Sequence, residues 1–187
     1  MSYQSFEQVL QKCHTEEKEF WRVILEDDMA ERNVSEEDSM EHMRATWDAM
    51  LLAAATYEGN LNSSSGLVGG DGRRMEEYIR SAQTKSLCGE YVDTCIAGAL
   101  QMGESNACMK RIVAAPTAGA CGVLPAVLVP YFQKRCKDTD KILKAMYVAA
   151  GIGQIIATRS SISGAAGGCQ AEIGAASSMA AGALVYF

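Results

Sequence analysis

From its first residues the chain repeats one arrangement: a capping side chain, an acidic first turn, then apolar residues every three or four positions. No convincing run of strand alternation interrupts it. Ser5 with Gln8, Thr15 with Glu16 and Glu17, and Ser35 with Glu36, Glu37 and Asp38 are successive starts of this kind. Phe20, Ile24 and Met29, then Met43, Trp47, Met50 and Leu51, supply the apolar stripe. The spacing predicts helices near 5–13, 15–32, 35–58, 72–83, 89–102, 121–135 and 139–158, and from 169 to the end. The expected fold class is therefore all-α, a multi-helix domain with glycine-rich loops at helix N-termini. Gly59 is expected to end the third helix, and Thr139 with Asp140 to cap the seventh. Pro125 is tolerable in a first turn, whereas Pro130 predicts a kink. Arg111 to Ala115 precedes a proline and is expected to be extended.

A length of 187 residues with 48% hydrophobic and 21% charged side chains suits one globular domain spanning 1–187. The net charge of −6 is concentrated in residues 1–48, which hold 13 acidic and 5 basic side chains. The remainder is too weakly basic to imply a nucleic-acid partner. Apolar stretches are broken before the length a membrane span needs, so no membrane partner is expected. Seven cysteines without a signal-peptide pattern argue for a reducing, cytoplasmic setting. The last residues, A-A-G-A-L-V-Y-F, carry no cap or polar tail, and the natural chain is expected to continue past Phe187.

Two of the cysteines stand apart. Cys121 lies in A-P-T-A-G-A-C-G-V-L-P-A and Cys169 in S-I-S-G-A-A-G-G-C-Q-A-E-I-G. Each is expected at a helix N-terminus, where the dipole and backbone N–H groups favour a thiolate. Adjacent glycines (Gly119 and Gly122; Gly164, Gly167 and Gly168) let the main chain approach an anionic sulfur or an inorganic group. The same composition also suits buried cysteines at close helix crossings. The two are too far apart in sequence for a local chelate such as a zinc ribbon, which favours a cluster held by separate loops. Cys13, Cys88, Cys95, Cys108 and Cys136 lack this context and are assigned to packing or surface.

The stretches Ala114 to Leu128 and Ser161 to Gly174 resemble the two cysteine-bearing motifs of the iron–sulfur-dependent L-serine dehydratases, specifically the α chain of the two-subunit type. Ser65 to Asp71, S-G-L-V-G-G-D, is similar to a third family segment, which usually has threonine where this chain has Val68. The resemblance runs from about Met29 to the C-terminus. It implies a [4Fe–4S] cluster bound by three cysteines, two of them matching Cys121 and Cys169 and the third in a segment beyond Phe187. It also implies dehydration of L-serine to aminoacrylate, which goes on to pyruvate and ammonia. A separate β subunit, a small α/β domain, is the implied partner. An L-cysteine desulfidase-type elimination, or a catalytically incomplete helical subunit, are the alternative readings.

Other residues have two readings each. Ser63, Ser64 and Ser65 with Gly69, Gly70 and Asp71 either hold the substrate carboxylate and amine or form an ordinary turn. Thr117, Ser161 and Ser163 are hydroxyls beside the cluster or Ser/Thr turns closing their own loops. Glu172 is a base candidate or a capping-box carboxylate, and Arg159 a carboxylate ligand or an exposed last-turn arginine. His14 and His42 are expected to be solvated. No nucleotide-binding motif occurs, and no lysine lies in a glycine-rich motif as a pyridoxal enzyme would require. Cys121 and Cys169 are expected to converge on one cavity; the catalytic base is not identified.

Overall fold

The computed structural model describes residues 3–81 and 86–187. Among them are eight α-helices and one π-helical turn, with no strand: α1 (Phe6–Glu16), α2 (Phe20–Arg32), α3 (Glu36–Ala55), α4 (Asp71–Arg80), α5 (Glu90–Ala107), α6 (Val123–Tyr131) running into the π-turn Phe132–Cys136, α7 (Thr139–Arg159) and α8 (Gly164–Tyr186). The protein is all-α, as its periodicity predicts. Gln83, the expected end of the fourth helix, lies outside the described residues.

Local side-chain caps open four of the eight helices, α1, α3, α7 and α8. The Ser5 hydroxyl accepts the Gln8 N–H, and the Gln8 side chain accepts the Gln4 N–H. Ser35 and Asp38 form a reciprocal capping box. Two expected caps are displaced. Thr15 donates to the Gln11 carbonyl inside α1, so α1 runs on until Glu17 adopts a left-handed conformation, and α2 starts only at Phe20. Asp138, not Thr139, caps α7, accepting the Lys141 N–H. The third helix ends at Ala55 rather than near Gly59. Arg111 to Val113 is irregular, without a strand partner among the described residues.

The chain divides into two compact units. One comprises the residues up to Trp47 together with Asp138–Phe187; the other is Asp48–Lys137. In the first, α7 is the central helix, buried along Ile142, Leu143, Met146, Tyr147 and Ile155. Val9, Val23, Ile24 and Leu25 pack with Tyr147 and Ile155 to form the core. The Tyr147 hydroxyl meets Ser39 at 2.6 Å, and Ser39 donates to Asp28. Against α7 lies α8, which buries Ala175, Ala176, Met179, Ala180 and Ala183.

In the second unit the almost wholly apolar α6 buries Leu124, Pro125, Ala126, Leu128, Val129 and Pro130. A Cβ on Gly98 would lie 3.4 Å from the Ala126 Cα, so the missing side chain lets α5 and α6 approach closely. Pro125, in the first turn, has no helical hydrogen bond to lose, whereas Pro130 removes a donor and the helix widens into the π-turn one residue past Tyr131.

Candidate functional site

Within the second unit, the last two turns of α5 organise the surroundings of Cys121. The Cys121 turn rests on them: Asn106 donates from Nδ2 to the Ala118 carbonyl at 3.0 Å, and the Cys121 Sγ lies 4.0 Å from the Met102 carbonyl. The Cys121 N–H closes onto Ala118 and the Val123 N–H onto Ala120, so the residue sits in a tight turn just before α6 rather than as its first residue. Cys121 is 1% exposed. A Cβ on Gly122 would come within 3.1 Å of the Ala99 carbonyl, so this glycine serves the close crossing of turn and helix. Thr117 accepts the Ala120 N–H at 3.3 Å and thereby closes its own loop.

Glu104, also on α5, anchors the serine-rich loop. Its Oε1 accepts the N–H groups of Asp71 at 2.5 Å and Gly72 at 3.0 Å, and its Oε2 accepts the Tyr57 hydroxyl at 2.5 Å. The residue is 2% exposed. Burial, reinforced by this hydrogen bond, holds the Tyr57 phenol far above the ordinary tyrosine range. Upstream, the Ser63 N–H donates to the Val68 carbonyl and the Gly66 N–H to the Ser63 carbonyl, while the Ser63 and Ser65 hydroxyls accept the Val68 and Leu67 N–H groups. Asp71 pairs with Arg74. Gly70 has φ 83°, a conformation that disfavours an ordinary capping side chain at the start of α4.

The first unit carries the Cys169 stretch. Ser163 caps α8 by accepting the Ala166 N–H, and Ser161 accepts the Ser163 N–H, both closing their own loop. Helical dihedrals are interrupted at Gly168, with φ 77° and ψ 167°, so Cys169 opens the long second segment of α8. The thiol is exposed. A Cβ on Gly164 would lie 2.9 Å from Glu172 Oε2, so that carboxylate folds back over the helix start. Arg159 donates from Nε to the Gln4 carbonyl at 2.7 Å, a structural use of its side chain. His14 and His42 are exposed.

Thiolate sulfur is the protein ligand of iron–sulfur clusters, and each candidate thiol adjoins a glycine where a helical segment begins, so their chemistry fits such a group. No set of three or more metal-ligating His, Cys, Asp or Glu side chains stands together among the described residues. The fit therefore rests on the two thiols and their turns. Sequence reading missed Glu104, Tyr57 and Asn106. One signal was present: Glu104 is the only acidic residue between Asp93 and Asp138, an isolated carboxylate in an apolar stretch.

Comparison with known proteins agrees with the motifs. The family model described as serine dehydratase alpha chain matches residues 15–187. The chain is similar to a Bacillus subtilis (strain 168) protein named "Probable L-serine dehydratase, alpha chain", 37% identical over 163 residues that make up 87% of this chain and 54% of that protein. It is 35% identical over 182 residues to the L-serine dehydratase alpha chain of Peptoniphilus asaccharolyticus, covering 95% of this chain and 61% of that one. A shorter stretch of 87 residues, 46% of this chain and 19% of the relative, is 48% identical to the L-serine dehydratase TdcG of Escherichia coli (strain K12). The chain thus spans little more than half the length of the alpha chains it matches. With almost its whole length matched by the family model, the chain belongs to the serine dehydratase alpha-chain family.

Proposed function

We propose that the chain is the catalytic α subunit of an L-serine ammonia-lyase, converting L-serine to pyruvate and ammonia, with Cys121 and Cys169 as two thiolate ligands of a [4Fe–4S] cluster. The observation that carries this reading is that each motif thiol adjoins a glycine where a helical segment begins, Cys121 beside Gly122 just before α6 and Cys169 just after the break at Gly168. An iron–sulfur cluster with one iron not bound by protein supplies a Lewis acid for the substrate hydroxyl. The chain's own contribution is to bind and orient. Ser63 and Ser65 use their hydroxyls to shape the loop, whereas among the described residues no hydrogen bond engages Ser64, whose exposed hydroxyl is available to the substrate carboxylate. Loss of the α-proton and of hydroxide gives aminoacrylate, whose imine tautomer takes up water and releases ammonia, so the net reaction neither consumes nor yields water.

The partner in this reading is a separately encoded β subunit, and the setting is the cytoplasm, consistent with seven free cysteines. No helix among the described residues is long and apolar enough to cross a membrane. The test is anaerobic purification of the natural α chain with its β chain, followed by iron and sulfide analysis and assays on L-serine and L-cysteine. Bound iron and sulfide with turnover of serine over cysteine is the expected result. A metal-free protein that remains inactive after anaerobic reconstitution, or one that prefers cysteine, overturns the proposal.

A further inference from the structure

Helix α4 begins without a local cap. Gly70 has no side chain to offer, and its φ of 83° disfavours the serine or aspartate that would ordinarily stand there. The first N–H groups of α4 are instead satisfied by Glu104 from α5, a carboxylate buried to 2% exposure with three hydrogen-bond donors. Gly72 makes this approach possible, since a Cβ there would meet Gln101 Cγ at 2.7 Å and Tyr57 Oη at 2.9 Å. Within the same two turns of α5, Met102 and Asn106 seat the Cys121 turn. A cap supplied by serine at position 70 would stabilise the helix alone; a cap supplied from α5 also sets where the preceding loop stands relative to that turn.

We infer that Glu104 is a positioning residue for serine binding: by anchoring the start of α4 it holds the Ser63–Gly70 loop in register with the Cys121 turn. The inference rests on the proposed role of that loop in binding the substrate. Glu104→Gln keeps the shape and leaves an oxygen to accept from Asp71 and Gly72, while its amide can donate to the Tyr57 oxygen. Glu104→Ala removes all three hydrogen bonds.

Three quantities are compared in the complete holoenzyme: amide hydrogen exchange across residues 63–72 with α7 as internal control, kcat and KM for L-serine, and iron per chain. Glu104→Ala is expected to raise both loop exchange and KM about tenfold, the scale of losing hydrogen bonds to a charged group. Under this expectation kcat and iron content change little, and Glu104→Gln restores most of the KM. Loop exchange unchanged in Glu104→Ala, or faster exchange with KM unchanged, overturns the inference, the latter leaving Glu104 as a cap and nothing more. If Glu104→Ala does not fold, Tyr57→Phe removes a single donor and must shift loop exchange and KM in the same direction by a smaller factor. Failure of the unaltered enzyme to turn over serine would instead sink the functional proposal, and the exchange contrast would still decide whether Glu104 anchors the loop.

Discussion

Cys121 and Cys169 sit in similar motifs but differ in their access to solvent, one 1% exposed and the other open. A thiol reacts as its thiolate, and only where a reagent can reach it. In the metal-free protein Cys169 should therefore be alkylated rapidly, and Cys121 only through local opening, about tenfold or more slowly. After anaerobic loading with iron and sulfide both should become protected, a difference readable peptide by peptide in a mass spectrum. Continued modification of Cys169 in the loaded protein would remove it from the ligand set. The other hydroxyls of the motifs have visible local duties: Thr117, Ser161 and Ser163 each accept a nearby backbone N–H. Sequence reading allowed both a turn and a cluster-side role for them, and the turn geometry is what the structure displays.

Among the helices, α7 shows how small residues set packing distance. A Cβ on Gly151 would meet Ile24 Cγ1 at 2.6 Å and Phe20 Cε1 at 2.9 Å, whereas one on Gly153 would meet the Met179 Sδ at 2.6 Å. Ile24 is fixed in the core, but a methionine has rotatable bonds with which to move aside. Replacing glycine by alanine in a helix stabilises it by about 1 kcal/mol, and overpacking a core costs about 1–3 kcal/mol. Gly151→Ala should accordingly destabilise the protein by about 1 kcal/mol net, and Gly153→Ala should be close to neutral. Urea unfolding of the two variants checks this, and equal stabilities would show that Ile24 yields as readily as Met179. Helix identity was legible because periodicity and caps are local, as at Ser5 and Ser35. Thr15 misled because a threonine hydroxyl bonds a carbonyl four residues back as readily as it caps a helix.

At the scale of the whole molecule, the first compact unit buries the phenol of Tyr147 and the second half-buries those of Tyr57 and Tyr91. Burial raises Tyr57, Tyr91 and Tyr147 above the ordinary value, with Glu104 adding to the shift at Tyr57 and Cys95 at Tyr91. The folded state thus holds these protons more tightly than the unfolded chain does. Stability from this source is complete below pH about 10, where unfolded tyrosine titrates, and is lost as pH climbs toward the folded-state values. Denaturant unfolding should weaken steeply above pH about 10, with tyrosinate absorbance from these residues appearing together with unfolding. Phenols ionising near the ordinary value in a chain that stays folded would contradict the burial argument. By itself the sequence determined the all-α class, most helix bodies, the glycine-bracketed thiols and the family, because periodicity, capping and motif spacing all act over a few neighbouring positions. Only the tertiary structure decided that Cys121 is buried and Cys169 open, that Arg159 serves the Gln4 carbonyl, and that Glu104 caps a helix 33 positions away. Burial and distant hydrogen bonds depend on which surfaces meet when the helices pack, and no local pattern of residues encodes that meeting.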